Sequence, residues 1–279
     1  MMEILAVILF IIVVFAILLC RGQSTWFQYR SIQSQKVKSA ASREIRYVNL
    51  EEVKELPEPV KKYFHLVLKD GMPIINRAFV FQVGGFRSKP EMTEWSKMVA
   101  EQYFSTRPRA FVWNSTISIV PGVSISVSDS YIEGKGRMKG KFLSLFTIID
   151  AQNQRELTEG ALQRFLAEAV WFPTALLPGQ GVTWTASDDH KAKATITDFD
   201  ITTSLEFEFN KKGEVVSVYT PSRYREVAGK YEPTPWKGRL SEYINANDCL
   251  IPRDVEVEWH LKDQVYPYVK VSLREIRYD

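Results

Sequence analysis

The sequence predicts a mainly β (α+β) fold, a large curved antiparallel sheet with a few helices, preceded by one transmembrane helix. Three observations predict it. Every residue from Ile4 to Cys20 is apolar, and from Ala78 onward apolar and polar residues alternate with period two. That alternation is interrupted once, by an apolar stripe at helical spacing. The expected organisation is a transmembrane anchor over residues 1–22, a juxtamembrane stalk over 23–55 and a single β-rich domain over 56–279.

The apolar run, taken as a helix, spans about 26 Å, close to the thickness of a bilayer core once Met1 and Met2 are added. A cleaved signal peptide fits poorly, because Glu3 stands where a basic region belongs and no Ala-x-Ala site follows. Lipidation at Cys20 fails because Leu19 is too large for the residue before a lipid-modified cysteine. Arg21, Arg30, Lys36 and Lys38 follow the run and no Lys or Arg precedes it, which by the positive-inside rule holds the domain in the cytoplasm. The segment from Gly22 to Ser42, rich in Gln and Ser with Trp26, Phe27 and Tyr29 at interfacial depth, reads as a juxtamembrane stalk, the only linker in the chain.

The domain opens with Leu56-Pro57-Glu58-Pro59, which starts a short helix presenting Val60, Phe64, Val67 and Leu68 on one face. His65 rides this helix as a solvent-facing or satisfied residue. Strands follow: Val123, Ile125, Val127 and Tyr131 alternate with serines, Leu205, Phe207 and Phe209 with glutamates, and Val255, Val257, Trp259 and Leu261 with polar residues. Asn210-Lys211-Lys212-Gly213 and Lys262-Asp263-Gln264 read as hairpin turns, so consecutive strands pair antiparallel, about ten in all. The interrupting helix is expected from Glu159 to Phe172, with Thr158 as N-cap and Pro173 beyond its end. Leu162, Phe165, Leu166, Ala169 and Val170 form its apolar stripe, and Arg164, Glu168 and Trp171 stand opposite. A tryptophan on a charged face implies that this side covers another element, a ligand or a membrane surface.

Charge and motifs exclude several function classes. A net charge of +3 is too mild to make nucleic acid the default partner. Two cysteines, one inside the apolar run, leave no intradomain disulfide. The sequon Asn114-Ser115-Thr116 falls within a strand and reads as coincidence. Gly134-Lys135-Gly136-Arg137-Met138-Lys139-Gly140-Lys141 fails as a phosphate loop, because its glycine spacing is wrong and Phe142 stands where Ser or Thr is needed. It does put Lys135, Arg137, Lys139 and Lys141 on one strand face, within about 20 Å. That stripe suits solvent first and anionic headgroups or an acidic partner second. Asp188-Asp189-His190 reads as a polar turn, and Glu256, Glu258 and His260 on one strand face lack an orienting partner, so neither is assigned a metal. Neither G-x-S-x-G nor S-x-x-K occurs. No catalytic residue, cofactor or metal is assigned.

Seven tryptophans are many for this length, and in a sheet core packing explains them. The alternative is that a curved sheet with aromatic and Met side chains on its concave face leaves an apolar cavity, which the interrupting helix could plug. Arg164-Phe165-Leu166-Ala167-Glu168 followed by Trp171-Phe172-Pro173-Thr174-Ala175-Leu176-Leu177-Pro178 resembles a bacterial membrane-anchored family of unknown function. Asp129-Ser130-Tyr131 with Gly134 and Gly136, Pro235-Trp236, and Ile251-Pro252 with Trp259 carry the same resemblance from about Leu56 onward. At fold level the order of elements is similar to the lipoprotein-carrier (LolA-like) half-barrels, which implies a cavity capped by helices and an extracytoplasmic domain, against the positive-inside rule. The leading expectation is a membrane-tethered module binding a lipid or another apolar ligand, with Trp113, Phe142, Phe165, Trp171, Arg164 and Glu168 at the cavity and Lys135, Arg137, Lys139 and Lys141 at headgroups. The alternatives are a structural or protein-interaction module of the cell envelope, its partner unspecified, and third an enzyme using an acid–base pair such as Arg164 and Glu168.

Overall fold

A computed structural model describes residues 1–279. Helix α1 (Met2–Ala40) and the short α2 (Glu58–Val67) precede strands β1 (Arg77–Phe86), β2 (Ser96–Thr106), β3 (Arg109–Val120), β4 (Val123–Ile132), β5 (Lys135–Phe142) and β6 (Phe146–Gln152). After α3 (Arg155–Glu168) come β7 (Val182–Asp188), β8 (Lys191–Asp198), β9 (Ile201–Phe209), β10 (Val215–Val227), β11 (Lys230–Ala246), β12 (Cys249–His260) and β13 (Val265–Tyr278). All thirteen strands form one open, curved antiparallel sheet, ordered β6-β5-β4-β3-β2-β1-β13-β12-β11-β10-β9-β8-β7. Each half is a run of hairpins, and the last strand zips onto the first.

Thirteen strands exceed the ten expected, because several are covered on both faces and do not alternate. In β3, Phe111 and Trp113 face the core while Val112 and Asn114 lie under α1, so consecutive residues are all buried. Helix α3 also departs from expectation, starting at Arg155 and ending at Glu168, with a 3-10 turn over Ala169–Trp171. Thr158 is not its N-cap. Its hydroxyl donates to the Gln154 carbonyl at 2.9 Å and accepts from the Gly136 amide at 3.2 Å, fastening the first turn to β5. Gly136 permits that approach, since a Cβ there would stand 2.8 Å from the Leu157 carbonyl oxygen.

Residues 23–40, the first part of the expected stalk, are helical and docked on the domain. Helix α1 runs unbroken through them, and Gly22, Trp26, Ser34 and Val37, spaced three to four or eight residues apart, are buried against the outer face of the sheet. Arg30 donates to the Asn114 carbonyl at 3.3 Å, and Asn114 in turn donates to Ser34 at 3.2 Å. Trp26 and Val37 are the only large apolar side chains among these buried positions, too few and too widely spaced to announce an apolar stripe. The sequon asparagine is thus packed under a helix.

The register defines the two ends of the sheet. Phe86 faces Ser96 and Val269, Val120 faces Val123, Phe142 faces both Ile125 and Phe146, and Trp236 faces Trp259. The β1–β2, β3–β4, β5–β6, β10–β11 and β12–β13 turns therefore share one end. The α1 helix leaves the sheet there: Gly22 abuts Ser144 and Leu145 of the β5–β6 turn, and the apolar residues before it project free of the domain. At the opposite end an aromatic plug closes the fold, with Phe104 and Phe172 ring centroids 4.5 Å apart and Phe165 and Phe172 5.6 Å apart.

Helix α2 packs Val60, Tyr63, Phe64 and Val67 inward and leaves His65 exposed. Nearby, Cys249 is fully enclosed and burial pushes its thiol up to about 12. In a Cys20→Ser background the native protein should therefore resist maleimide at pH 8 and react stoichiometrically once unfolded in urea. Rapid labelling of the native chain would contradict this packing.

Candidate ligand-binding cavity

Helix α3 lies in the concave face of the sheet and is buried on two sides. One side carries Leu162, Phe165 and Leu166 into the core. The other, with Leu157, Gly160, Ala161, Arg164, Ala167 and Glu168, borders a cavity of about 490 Å³. Small residues at three of these six positions leave the space open. Of 35 lining residues 24 are hydrophobic, among them Trp113, Met138, Trp171, Trp236 and Trp259. The volume falls in the ~300–1,000 Å³ range of small-molecule sites. Only Ser88 and Glu226 among the lining residues are exposed, on the β1–β2 loop and near the β10–β11 turn, so the cavity opens at the end of the sheet where α1 departs.

A polar network crosses the cavity wall. Arg164 donates from Nη1 to Asp129 Oδ2 at 2.8 Å and from Nε to Glu168 Oε1 at 2.9 Å, and Gln102 Nε2 donates to Glu168 Oε2 at 2.7 Å. The guanidinium lies over the Trp113 ring, 4.7 Å from its centroid, and Trp113 Nε1 donates to Gln82 Oε1 at 3.2 Å. Burial pushes the Glu168 carboxyl above the usual carboxylate range, against the opposing pull of Arg164 and Gln102. Burial also works against the Arg164 charge, but Glu168 and Asp129 outweigh it and the guanidinium pKa is raised. The charged groups of the network answer one another from within, which suits a rigid wall, and Gln102 Oε1 alone is buried without a partner.

A second guanidinium is placed differently. Arg223 donates to the Gly160 carbonyl at 2.6 Å and to Gln163 Oε1 at 3.5 Å, both from Nη1, and stacks on Trp236 at 5.1 Å. Burial lowers its pKa. Arg225, also lining the cavity, has a buried Nε without a partner.

Of the six residues expected at the cavity, Trp113, Arg164, Glu168 and Trp171 line it. Trp171 is fixed by its indole N–H donating to the Pro252 carbonyl at 3.0 Å. Phe165 belongs instead to the aromatic plug, and Phe142 stands at the end of β5 off the lining. Sequence reasoning missed Asp129, Arg223 and Arg225 as cavity residues.

The basic stripe of β5 occupies the opposite, outer face, where α1 lies across it. Arg137 and Lys139 sit over the Tyr29 ring at 5.6 and 5.4 Å, and Lys141 over Trp26 at 6.0 Å. Asp150 pairs with Arg137 at 3.5 Å and Lys139 at 3.3 Å. Arg137, Lys139 and Lys141 thus grip the helix, while Lys135 is exposed. Glu258 does have orienting partners: Arg239 at 2.8 Å and His260 at 2.9 Å. Asp188 turns the β7–β8 hairpin by accepting from the His190 amide at 2.7 Å.

The solved structure of a LolA superfamily protein from Nitrosomonas europaea is similar over 78% of this chain and 91% of that one, at 10% sequence identity and a TM-score of 0.35. No curated protein matches the sequence. The family of unknown function DUF6920 matches residues 54–278, a span that contains the whole sheet, α3 and every cavity residue, and the chain belongs to that family.

Proposed function

We propose that the protein binds a lipid or another apolar ligand in the cavity beneath α3 and is held at a membrane by the apolar half of α1. The observation that carries this reading is the coincidence of two features at one end of the sheet: the mouth of a largely apolar cavity, and the departure point of a helix long and apolar enough to cross a bilayer. Because α1 is docked from Gly22 onward, at the very end of the apolar run, the tether is stiff and short and keeps that mouth close to the bilayer surface. The turns beside it support the same placement, since Ile119, Val120, Phe146 and Ile148 are large, apolar and exposed. Lys141, nearest the apolar run among the basic stripe, is the residue best placed for an anionic headgroup.

Native mass spectrometry of the full chain tests this reading. Protein extracted in mild detergent should carry one bound apolar molecule per chain, lose it on exhaustive delipidation and regain it from mixed micelles of the host lipids. A chain that neither retains nor rebinds any such molecule would sink the proposal.

A further inference from the structure

The cavity's charges divide into two groups that differ in whether they are answered. Arg164, Asp129 and Glu168 neutralise and hydrogen-bond one another. Arg223 has no carboxylate within 4.0 Å, and its only protein acceptors are neutral and engage Nη1 alone. Its Nε and Nη2 hydrogens, the edge with which arginine makes paired bonds to a carboxylate or phosphate, have no protein acceptor. Arg225 donates no hydrogen bond to the protein and its Nε is buried without a partner. Glu156 and Glu226 also line the cavity, but neither comes within 4.0 Å of either guanidinium.

Arg223 and Arg225 are each half-buried at the wall of a largely apolar cavity, where a cation is partly withdrawn from water, and an anion that completes them offsets that loss of hydration. Resting on the ligand-binding reading above, we propose that the polar end of the cavity's ligand is an anionic oxygen group, a carboxylate or a phosphate, held by the free Nε–Nη2 edge of Arg223 with Arg225 beside it. The cavity is then a site for an acidic amphiphile, with its apolar chain among Trp113, Met138, Trp171 and Trp259.

The test compares three sixteen-carbon probes on the delipidated full chain in detergent: palmitate, hexadecyl phosphate and hexadecanol, followed by tryptophan fluorescence and calorimetry. At least one anionic probe should bind about tenfold or more tightly than hexadecanol, as a charge-assisted pair of hydrogen bonds implies. A preference for palmitate assigns a free acid, and a preference for hexadecyl phosphate assigns a lipid phosphate. Arg223→Gln, which keeps a donor for the Gly160 carbonyl, should abolish the anion preference, bringing the anionic probes to the affinity of hexadecanol. Arg225→Gln breaks no bond within the protein and should weaken anion binding even if Arg223→Gln fails to fold. Equal binding of all three probes overturns the anion assignment and leaves the apolar cavity standing. Failure of all three to bind overturns both. An anion preference that survives both substitutions also overturns the assignment.

Discussion

Replacing Arg164 with methionine is expected to destabilise the protein by about 3–5 kcal/mol, because it strands two carboxylates, Asp129 and Glu168, inside the domain. Methionine fills much the same volume, so the loss isolates the charge. The effect should be measured by urea denaturation of the full chain in detergent. An exposed pair sets the comparison: Arg155 reaches Asp200 at 2.9 Å on the surface, and Arg155→Met should cost under about 1 kcal/mol. Acidification should narrow the Arg164→Met deficit. The Glu168 pKa is already raised by burial, so the folded state holds this proton more tightly than the unfolded chain does, and stability attributable to Glu168 rises as pH falls. Removing its counter-charge strengthens that trend. The variant should therefore lose less, relative to the natural protein, at pH 5 than at pH 8. Combining Arg164→Met with Asp129→Asn and Glu168→Gln should restore most of the loss, since no uncompensated charge is then buried. A deficit that persists in the triple variant would show that packing, rather than charge, makes Arg164 necessary.

The same network shows how far the site was legible. The single sheet and the interrupting helix follow from periodicity, and Trp171 opposite the apolar stripe signalled a covered face. The network's strand residues left a mark of another kind. Asp129 continues the inward series Val123, Ile125, Val127; Gln82 continues Ala78, Val80; and Gln102 sits between Ala100 and Phe104. Each polar side chain occupies apolar parity, and a polar residue there must find a partner inside or face a cavity. Arg223 leaves no such mark, because the register of β10 against β11 shifts between Thr220 and Arg223 and breaks the parity by which its face could be counted. The docked half of α1 was hidden for a different reason. Its contacts use glycine, serine and hydrogen bonds to the Asn114 backbone and side chain, with only Trp26 and Val37 as large apolar anchors, so composition suggested a linker where the chain forms a docked helix.

Gly160→Phe is expected to abolish ligand retention without lowering the stability of the chain. Gly160 lies in α3 on the cavity side, and a Cβ added there meets nothing nearer than the Arg223 guanidinium at 3.9 Å. A larger side chain is therefore directed into the cavity toward the Arg223 guanidinium rather than into backbone. Glycine within a helix costs about 1 kcal/mol relative to alanine, so the substitution gains helix propensity while it fills the cavity. Gly160→Ala is the control: it should raise stability by up to about that amount and, adding one methyl group, retain the bound molecule. The contrast separates a ligand site from a packing defect. If the cavity were only imperfect packing, filling it would raise the melting temperature and change nothing else. If it is the binding site, the phenylalanine variant should melt normally and yet carry no apolar molecule by native mass spectrometry, with affinity for added amphiphile down by at least about a hundredfold, near 2.7 kcal/mol. Full retention in Gly160→Phe would place the ligand elsewhere and remove the reason for the cavity's small-residue helix face.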